Sequence, residues 1–424
     1  MFNSHLNKKQ LLSACFGNFF EHYDTALFSF LSIFLAPVIF PNHDQMTALL
    51  LIYAMIPLGM IARPIGALVF GYIGDNYGRS KALFLTLGGM SIVSACMAIS
   101  PTFHQAGFVS PLFFCIGRIL QNFLASGESM GGAIYLLENT SNEKKDILSS
   151  IYNATTIGGI LFASGGVSLL AYLQMIDTGW RFLYAIGSLT GLFGYLLRKK
   201  MKDDIYEPKK RNNKYSISNL WQTFKDHKTP FLLIAITSGF SYATYSISLI
   251  VLNGFIPLVT NLTKTQMTTI NTFLLILDFC ALPLFGWLSF KYSREKVMLT
   301  ASITTVVAAI PLFLLLPHIS IIGVVLVRIV FVLLGVAFFA PYHAWAQSIV
   351  PSHARYLVIS LAYSLGSQLL GGPTAALSLW IYQTTDTILC TSFYWLILAL
   401  ISSLAILATV KIQKTLQETR YEFD

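Results

Sequence analysis

The chain is a succession of apolar stretches separated by short polar links. Each stretch reaches or exceeds the ~20 residues a helix needs to cross the hydrocarbon of a bilayer. Twelve can be marked, near 11–38, 47–73, 82–100, 109–138, 147–173, 180–198, 229–259, 267–290, 297–317, 319–348, 355–383 and 390–411. Nothing else constrains the fold so tightly. Inside lipid a backbone N–H or C=O finds no water, so such stretches must close their hydrogen bonds internally as helices. Composition agrees: 55% of residues are hydrophobic and only 11% charged, against about 25% charged in an ordinary soluble domain. The expected fold class is all-α and integral to a membrane, with twelve transmembrane helices. The longest stretches imply tilt, or ends that project past the lipid.

A net charge of +9 would suit a nucleic-acid partner if the basic residues were clustered on one surface, but they are not. Lys264 alone falls clearly in an outer loop and Arg181 sits at an outer helix edge. Arg63, Arg118 and Arg328 lie inside helices, and the remaining Lys and Arg fall in the termini or on inner loops. This is the positive-inside pattern of a membrane protein with both termini cytoplasmic, and no nucleic-acid partner is expected. The first apolar run is interrupted by Glu21, His22 and Asp24, which makes it a poor signal-peptide core and a better retained helix. The five cysteines are scattered through apolar runs and form no metal spacing or disulfide framework. There is no phosphate-binding loop, paired metal-ligand motif or nucleophile elbow. Neither an enzyme, a cofactor nor a metal is expected, and a gradient must supply any driving energy.

The longest link, 199–228, carries the basic runs Arg198-Lys199-Lys200 and Lys209-Lys210-Arg211. It divides the chain into residues 1–198 and 229–424, each with six apolar stretches. Within it, Ile217, Leu220, Trp221 and Phe224 follow helical spacing after a potential cap at Ser216. That suits a short helix lying on the inner membrane surface; a loosely ordered linker is the alternative. The halves also repeat weakly. Gly71-Tyr-Ile-Gly74-Asp75-Asn-Tyr-Gly78-Arg79-Ser-Lys81 is followed 215 residues later by Gly286-Trp-Leu-Ser-Phe290-Lys-Tyr-Ser293-Arg294-Glu-Lys296. The second copy keeps Gly286, Arg294 and Lys296 but has Phe290 and Ser293 in place of Asp75 and Gly78. Arg118 and Arg328 lie 210 residues apart.

The first of these loops, G-x-x-G-D-x-x-G-R-x-K, resembles the link between helices 2 and 3 of the major facilitator superfamily of transporters. Three further stretches resemble its metabolite:proton symporter branch, which carries citrate, α-ketoglutarate, shikimate and proline/betaine. They are Gly17-Asn18-Phe19-Phe20-Glu21-His22-Tyr23-Asp24, close to G-N-x-x-E-W-Y-D; Ala62-Arg63-Pro64-Ile65-Gly66; and Arg118 to Ala133, close to R-x-x-Q-G-x-x-x-G-G-E-x-G-G-A. Val350 to Tyr356 and Ser360-Leu361-Ala362-Tyr363 are similar to F-P-T-R-V-R-Y and S-L-x-Y. His22, Asn122, Ser126 and His353 depart from the branch pattern. The resemblance implies two pseudo-symmetric six-helix bundles working by alternating access. It also implies a gating role for Gly71, Asp75, Gly78 and Arg79, and a bacterial-type inner membrane as the location.

Charged groups within membrane helices are functional candidates by default, because they cost several kcal/mol unless paired or hydrated. Glu21 and Asp24, three residues apart, share a helix face. Two such carboxylates repel, so the pair can hold a proton near neutral pH; they lead the proton-coupling candidates, followed by Glu128 and Asp278. Alternatively Arg63 neutralises the pair as a structural cluster. Arg118, Asn122, Ala125 and Ser129 form one stripe of the fourth helix, with Gln121 and Glu128 beside it, as suits a cavity wall. Counting residues from the helix ends places Glu21, Arg63 and Glu128 at similar depth, as an inner charge network. Arg118, further out, is then the leading contact for a substrate carboxylate, which a guanidinium grips bidentately; an inter-helix ion pair is the alternative. Arg328 aligns with Arg118, and Asp278 with Arg63, across the repeat. Gln121, Asn122, Arg328, Tyr23, Tyr245 and Trp345 complete the candidate substrate wall.

The reading is a monomeric importer of a small organic acid or zwitterion, taken up with protons. A proton-driven exporter of a metabolite or siderophore is the second reading. A transporter-like sensor is the third, and the stretch from Lys411 onward is too short for a signalling domain.

Overall fold

The computed structural model describes residues 8–200, 220–260, 262, 264–385, 387 and 389–421. Among these residues there is no strand. Among the described residues, ten helices are long and apolar enough to cross a membrane. The chain runs through α1 (Lys8–Ile39), α2 (Gln45–Tyr77), α3 (Arg79–Ala98), the single turn α4 (Phe103–Ala106), α5 (Val109–Glu138), α6 (Lys145–Tyr172) and α7 (Ile176–Lys200). After the link come α8 (Leu220–Asp226), α9 (Lys228–Tyr245), α10 (Leu252–Val259), α11 (Lys264–Tyr292), α12 (Arg294–Leu315) and α13 (Ile321–Phe339). The chain then continues through α14 (Tyr342–Ser348), α15 (Arg355–Gly366), α16 (Thr374–Thr385) and α17 (Leu389–Tyr421). Many aliphatic side chains, such as Ile92, Val307 and Leu326, point outward and exposed, as they should where the surrounding solvent is lipid rather than water. The helix expected in the link is present from Leu220; its expected cap, Ser216, and Ile217 lie outside the described residues.

Three expected spans are not uniform helices: 319–348 breaks at Ala340 and Pro341 between α13 and α14, and two others carry a π turn. The stretch 229–259 passes from α9 into a π-helical turn, Ser246–Val251, before α10. The stretch 355–383 passes from α15 into a π-helical turn, Ser367–Gly371, before α16. A π turn widens the ladder and leaves carbonyls to be satisfied from elsewhere. Here side chains from other helices do so: Arg328 Nη2 donates to Ser248 O at 2.9 Å, and the Tyr394 hydroxyl donates to Leu370 O. The interruption in α15 also lets two backbones meet. A Cβ on Gly366 would run into the carbonyl of Ala235 on α9, the close approach that glycine permits between membrane helices.

The described chain resolves into two compact units. The first is Met1–Ser141, Thr155–Leu220 and Ser352–Leu361; the second is Asn142–Ala154, Trp221–Pro351 and Ala362–Asp424. Each unit therefore takes one short segment from the other half of the sequence, and α6 and α15 are each divided between the two. In the first unit Phe20, Leu27, Phe28, Leu31, Phe114, Trp180 and Tyr184 form a buried core around α1, which is the wall on which the polar residues of α1, α2 and α5 are mounted.

Candidate functional site

The loop between α2 and α3 turns at Gly78, whose φ of 103° is open to glycine and strained for other residues. That turn sets Asp75 and Arg79 side by side as a buried ion pair. Asp75 accepts the backbone N–H of Tyr356 at 3.2 Å and of Leu357 at 2.8 Å, so it caps the start of α15. Arg79 donates to Ser352 O at 2.6 Å and to Glu138 Oε2 at 3.2 Å, and Arg355 joins Glu138 at 2.8 Å. The Tyr356 ring occupies space that a Cβ on Gly74 or Gly131 would enter, and a Cβ on Gly71 would come within 2.7 Å of Leu357 Cα. All of this lies in the first unit, through the segment Ser352–Leu361.

The second unit repeats the device with substitutions. Ser293, at the position of Gly78, adopts the same backbone, φ 80° and ψ 144° against 103° and 143°. Arg294, at the position of Arg79, pairs with Asp146 at 3.1 Å and donates to Ala344 O at 2.9 Å. Gly286, at the position of Gly71, packs on Ser150.

Within α1, α2 and α5 of the first unit the expected polar residues fall into two clusters. In one, buried Glu21 accepts from Ser129 at 2.9 Å, and its Oε1 lies 3.5 Å from Arg63. Arg63 in turn donates to Asn122 Oδ1 at 2.9 Å. His22 Nδ1 lies 2.7 Å from Glu21 Oε2 and 2.9 Å from Asn18 O. Both neighbours are acceptors, so Nδ1 carries a proton. In the other cluster, buried Asp24 accepts from Ser94 and, at 2.7 Å, from Gln121 Nε2. The opposite end of that amide, Gln121 Oε1, accepts from Arg118 at 3.0 Å. Arg118 is held by neutral groups: the Thr25 carbonyl at 3.5 Å and the face of Phe28, 4.5 Å from its ring centre. Its Nε is buried without a hydrogen-bond partner.

The remaining candidates are dispersed. Buried Glu128 is bonded to Thr86 of α3 at 3.0 Å. The Tyr23 hydroxyl is engaged with Leu183 O at 2.8 Å within the core. In the second unit Tyr245 donates to Asp278 Oδ1 at 3.2 Å, while Asp278 Oδ2 is buried without a partner. Arg328 is fully buried among oxygens that bear no charge, Ser248 O and the side-chain oxygens of Asn271 (2.7 Å) and Asn253 (3.4 Å). Trp345 packs against α17, donating to Thr409 at 3.3 Å. Three partners had no signal in the sequence. Ser94 and Thr86 sit in apolar runs where a single hydroxyl is unremarkable, and nothing in the sequence distinguishes Asn271 within its helix.

The family profile described as Major Facilitator Superfamily matches residues 16–376. A putative proline/betaine transporter of Staphylococcus aureus (strain COL) is 26% identical over 414 residues, covering 94% of this chain and 87% of that protein. The proline/betaine transporter of Escherichia coli K12 is 25% identical over 411 residues, covering 93% and 81%. Among solved structures, the proton:xylose symporter XylE superposes with a TM-score of 0.70 at 18% identity, covering 93% of this chain and 94% of that one. A bacterial homologue of the iron transporter ferroportin, in an outward-facing state, superposes with a TM-score of 0.72 at 13% identity, covering 94% and 98%.

Proposed function

The chain belongs to the Major Facilitator Superfamily, and from that premise we propose that this secondary transporter imports a small carboxylate-bearing metabolite, most simply a zwitterion, together with protons. Residues 1–198 and 229–424 act as the two bundles of an alternating-access cycle, both termini face the cytoplasm, and the monomer is the working unit. The observation that carries the reading is Arg118. It is a buried guanidinium that forms no ion pair among the described residues and keeps an unused Nε. A charge so placed is costly until a counter-ion arrives, and a carboxylate fits its planar fork.

Asp24 supplies the coupling. Gln121 stands between Asp24 and Arg118, bonded to both. While Asp24 is ionised, its charge offsets that of Arg118 across the amide. A proton on Asp24 removes the offset, and Arg118 then attracts a substrate carboxylate more strongly. By linkage, the bound carboxylate favours the protonated Asp24 to the same degree. Proton and substrate therefore bind together and leave together, which is symport. Glu21, already balanced by Arg63 and Ser129, serves as the support that fixes Asn122 and Ser129 along the same helix face. Asp278, bonded to Tyr245, is a second proton-holding group. Arg328, bound to carbonyl and amide oxygens, steadies the π turn at Ser246–Val251.

The names of the two relatives make proline and betaine the first compounds to try, with citrate as a polyanionic contrast. Counterflow in proteoliposomes at equal pH should show exchange of at least one carboxylate-bearing compound by the parent and its loss in Arg118→Ala. Parental exchange in a folded Arg118→Ala protein would overturn the assignment. A cysteine placed at Asn142 should react with an impermeant thiol reagent only from the cytoplasm, and one at Gln105 only from outside; the reverse would overturn the orientation.

A further inference from the structure

A groove of about 560 Å³ opens in the second unit between the final turns of α11, the first turns of α12 and the facing side of α13. Its volume is within the ~300–1,000 Å³ typical of small-molecule sites, yet along its length two threonine hydroxyls are the only polar groups. Phe285, Leu288 and Leu333 line it with large apolar side chains, and Thr300, Ala301 and Ala337 with small ones. Charge enters at one end only, where Lys296 joins the lining beside Tyr292; the only other polar groups in it are the hydroxyls of Thr300 and Thr304. Lys296, Thr300 and Thr304 lie on successive turns of α12, so the slot runs about 12 Å along that helix at ~1.5 Å per residue. One leaflet of hydrocarbon is about 15 Å deep, half of the ~30 Å core.

The polar end has the character of a headgroup site. Trp287 and Tyr292 are exposed beside it, at the level where such rings collect on membrane proteins. Lys291 extends over both, with Nζ 5.5 Å from the Trp287 ring and 5.2 Å from that of Tyr292. The other charges nearby are Arg294, held by Asp146, and Glu295, the sequence neighbour of Lys296. Among the described residues, neither Lys291 nor Lys296 makes an ion pair with a carboxylate. Two ammonium groups, neither neutralised by a carboxylate among the described residues, thus stand at the end of an apolar slot that runs most of the depth of one leaflet.

We propose that this groove is a specific site for an anionic phospholipid, with one acyl chain in the slot and the phosphate between Lys291 and Lys296. Ordinary annular lipid would cover the same surface without regard to headgroup charge, so charge preference at a single site is the distinguishing property. The phosphate is recognised by the lysines, and the chain by the apolar lining. An ion without a chain lacks the second half of the site.

The test is native mass spectrometry of the full chain in detergent, titrated with phosphatidylglycerol or phosphatidylcholine of identical acyl chains. The parent should retain one phosphatidylglycerol in preference to phosphatidylcholine. Lysines near a membrane surface attract anionic lipid by about 1 kcal/mol each, or roughly fivefold. Lys296→Gln should therefore lower the phosphatidylglycerol preference about fivefold. Lys291→Gln/Lys296→Gln together should lower it about 25-fold, with phosphatidylcholine retention unchanged. Thr304→Trp, on the exposed side of α12, should block the slot and remove the retained lipid while both lysines remain. Equal retention of the two lipids by the parent would overturn the proposal, as would undiminished phosphatidylglycerol binding by a folded Thr304→Trp protein.

Discussion

Asp75→Asn tests how the segment Ser352–Leu361 is held in the first unit. The carboxylate caps two amides, those of Tyr356 and Leu357, at 3.2 and 2.8 Å, and also pairs with Arg79. Asparagine keeps one carbonyl oxygen and turns an NH₂ toward the other donor. One cap is therefore lost outright and the other loses its charge assistance. A hydrogen bond to a charged group contributes about 1.5–3 kcal/mol, and each ~1.4 kcal/mol is tenfold in an opening equilibrium, so the local opening of these two amides should become about 10–150 times more frequent. Hydrogen–deuterium exchange of a peptide covering 352–361 reads this directly. Glu138→Gln is the control: it weakens Arg79 and Arg355 but leaves both caps, so it should speed these amides far less. Parental exchange at Tyr356 and Leu357 in the Asp75→Asn protein would refute the capping argument.

Other substitutions test separate links. Ser293→Gly should stabilise the protein by about 1 kcal/mol, seen as a higher melting temperature, because a non-glycine residue at φ 80° carries strain of order 1–3 kcal/mol while a Ser-to-Gly cap change costs only a few tenths. Gly74→Ala should instead lower the melting temperature, since the added methyl enters the Tyr356 ring and overpacking typically costs about 1–3 kcal/mol. Arg118→Lys should weaken binding of a carboxylate-bearing substrate about tenfold or more although charge is kept, because an ammonium lacks the planar fork; isothermal titration with the best counterflow substrate measures it.

The membrane helices were legible because lipid leaves a chain so few options that apolarity and length decide. The repeat was legible further than its residues suggested: Ser293 does not look like Gly78, yet the two share a backbone conformation. The contact of Glu21 with Arg63 was readable from depth along the helices, but the burial of Arg118, Gln121 and Asn122, expected on a cavity wall, was not. Which carboxylate met which partner was not. Glu128 matches Glu21 in depth, but the rotation of α5 carries it to Thr86 of α3, and helix rotation is set by packing that no single helix encodes. The same holds for Tyr23 and Trp345, whose polar atoms are taken up by Leu183 and Thr409. The π turns in 246–251 and 367–371 had no visible signal either, since they depend on Arg328 and Tyr394 arriving from elsewhere to satisfy the backbone.

The central claim is that Asp24 carries the coupled proton while Arg118 holds the substrate, with Gln121 joining them. The direct measurement is substrate uptake into proteoliposomes with and without an imposed pH gradient, alongside counterflow at equal pH, for the parent and Asp24→Asn. Asparagine mimics the neutral state permanently and can still accept from Gln121. The account predicts that Asp24→Asn loses gradient-driven accumulation and retains exchange at equal pH. Accumulation by Asp24→Asn to the parental level under the same gradient would contradict it and place the proton on another group.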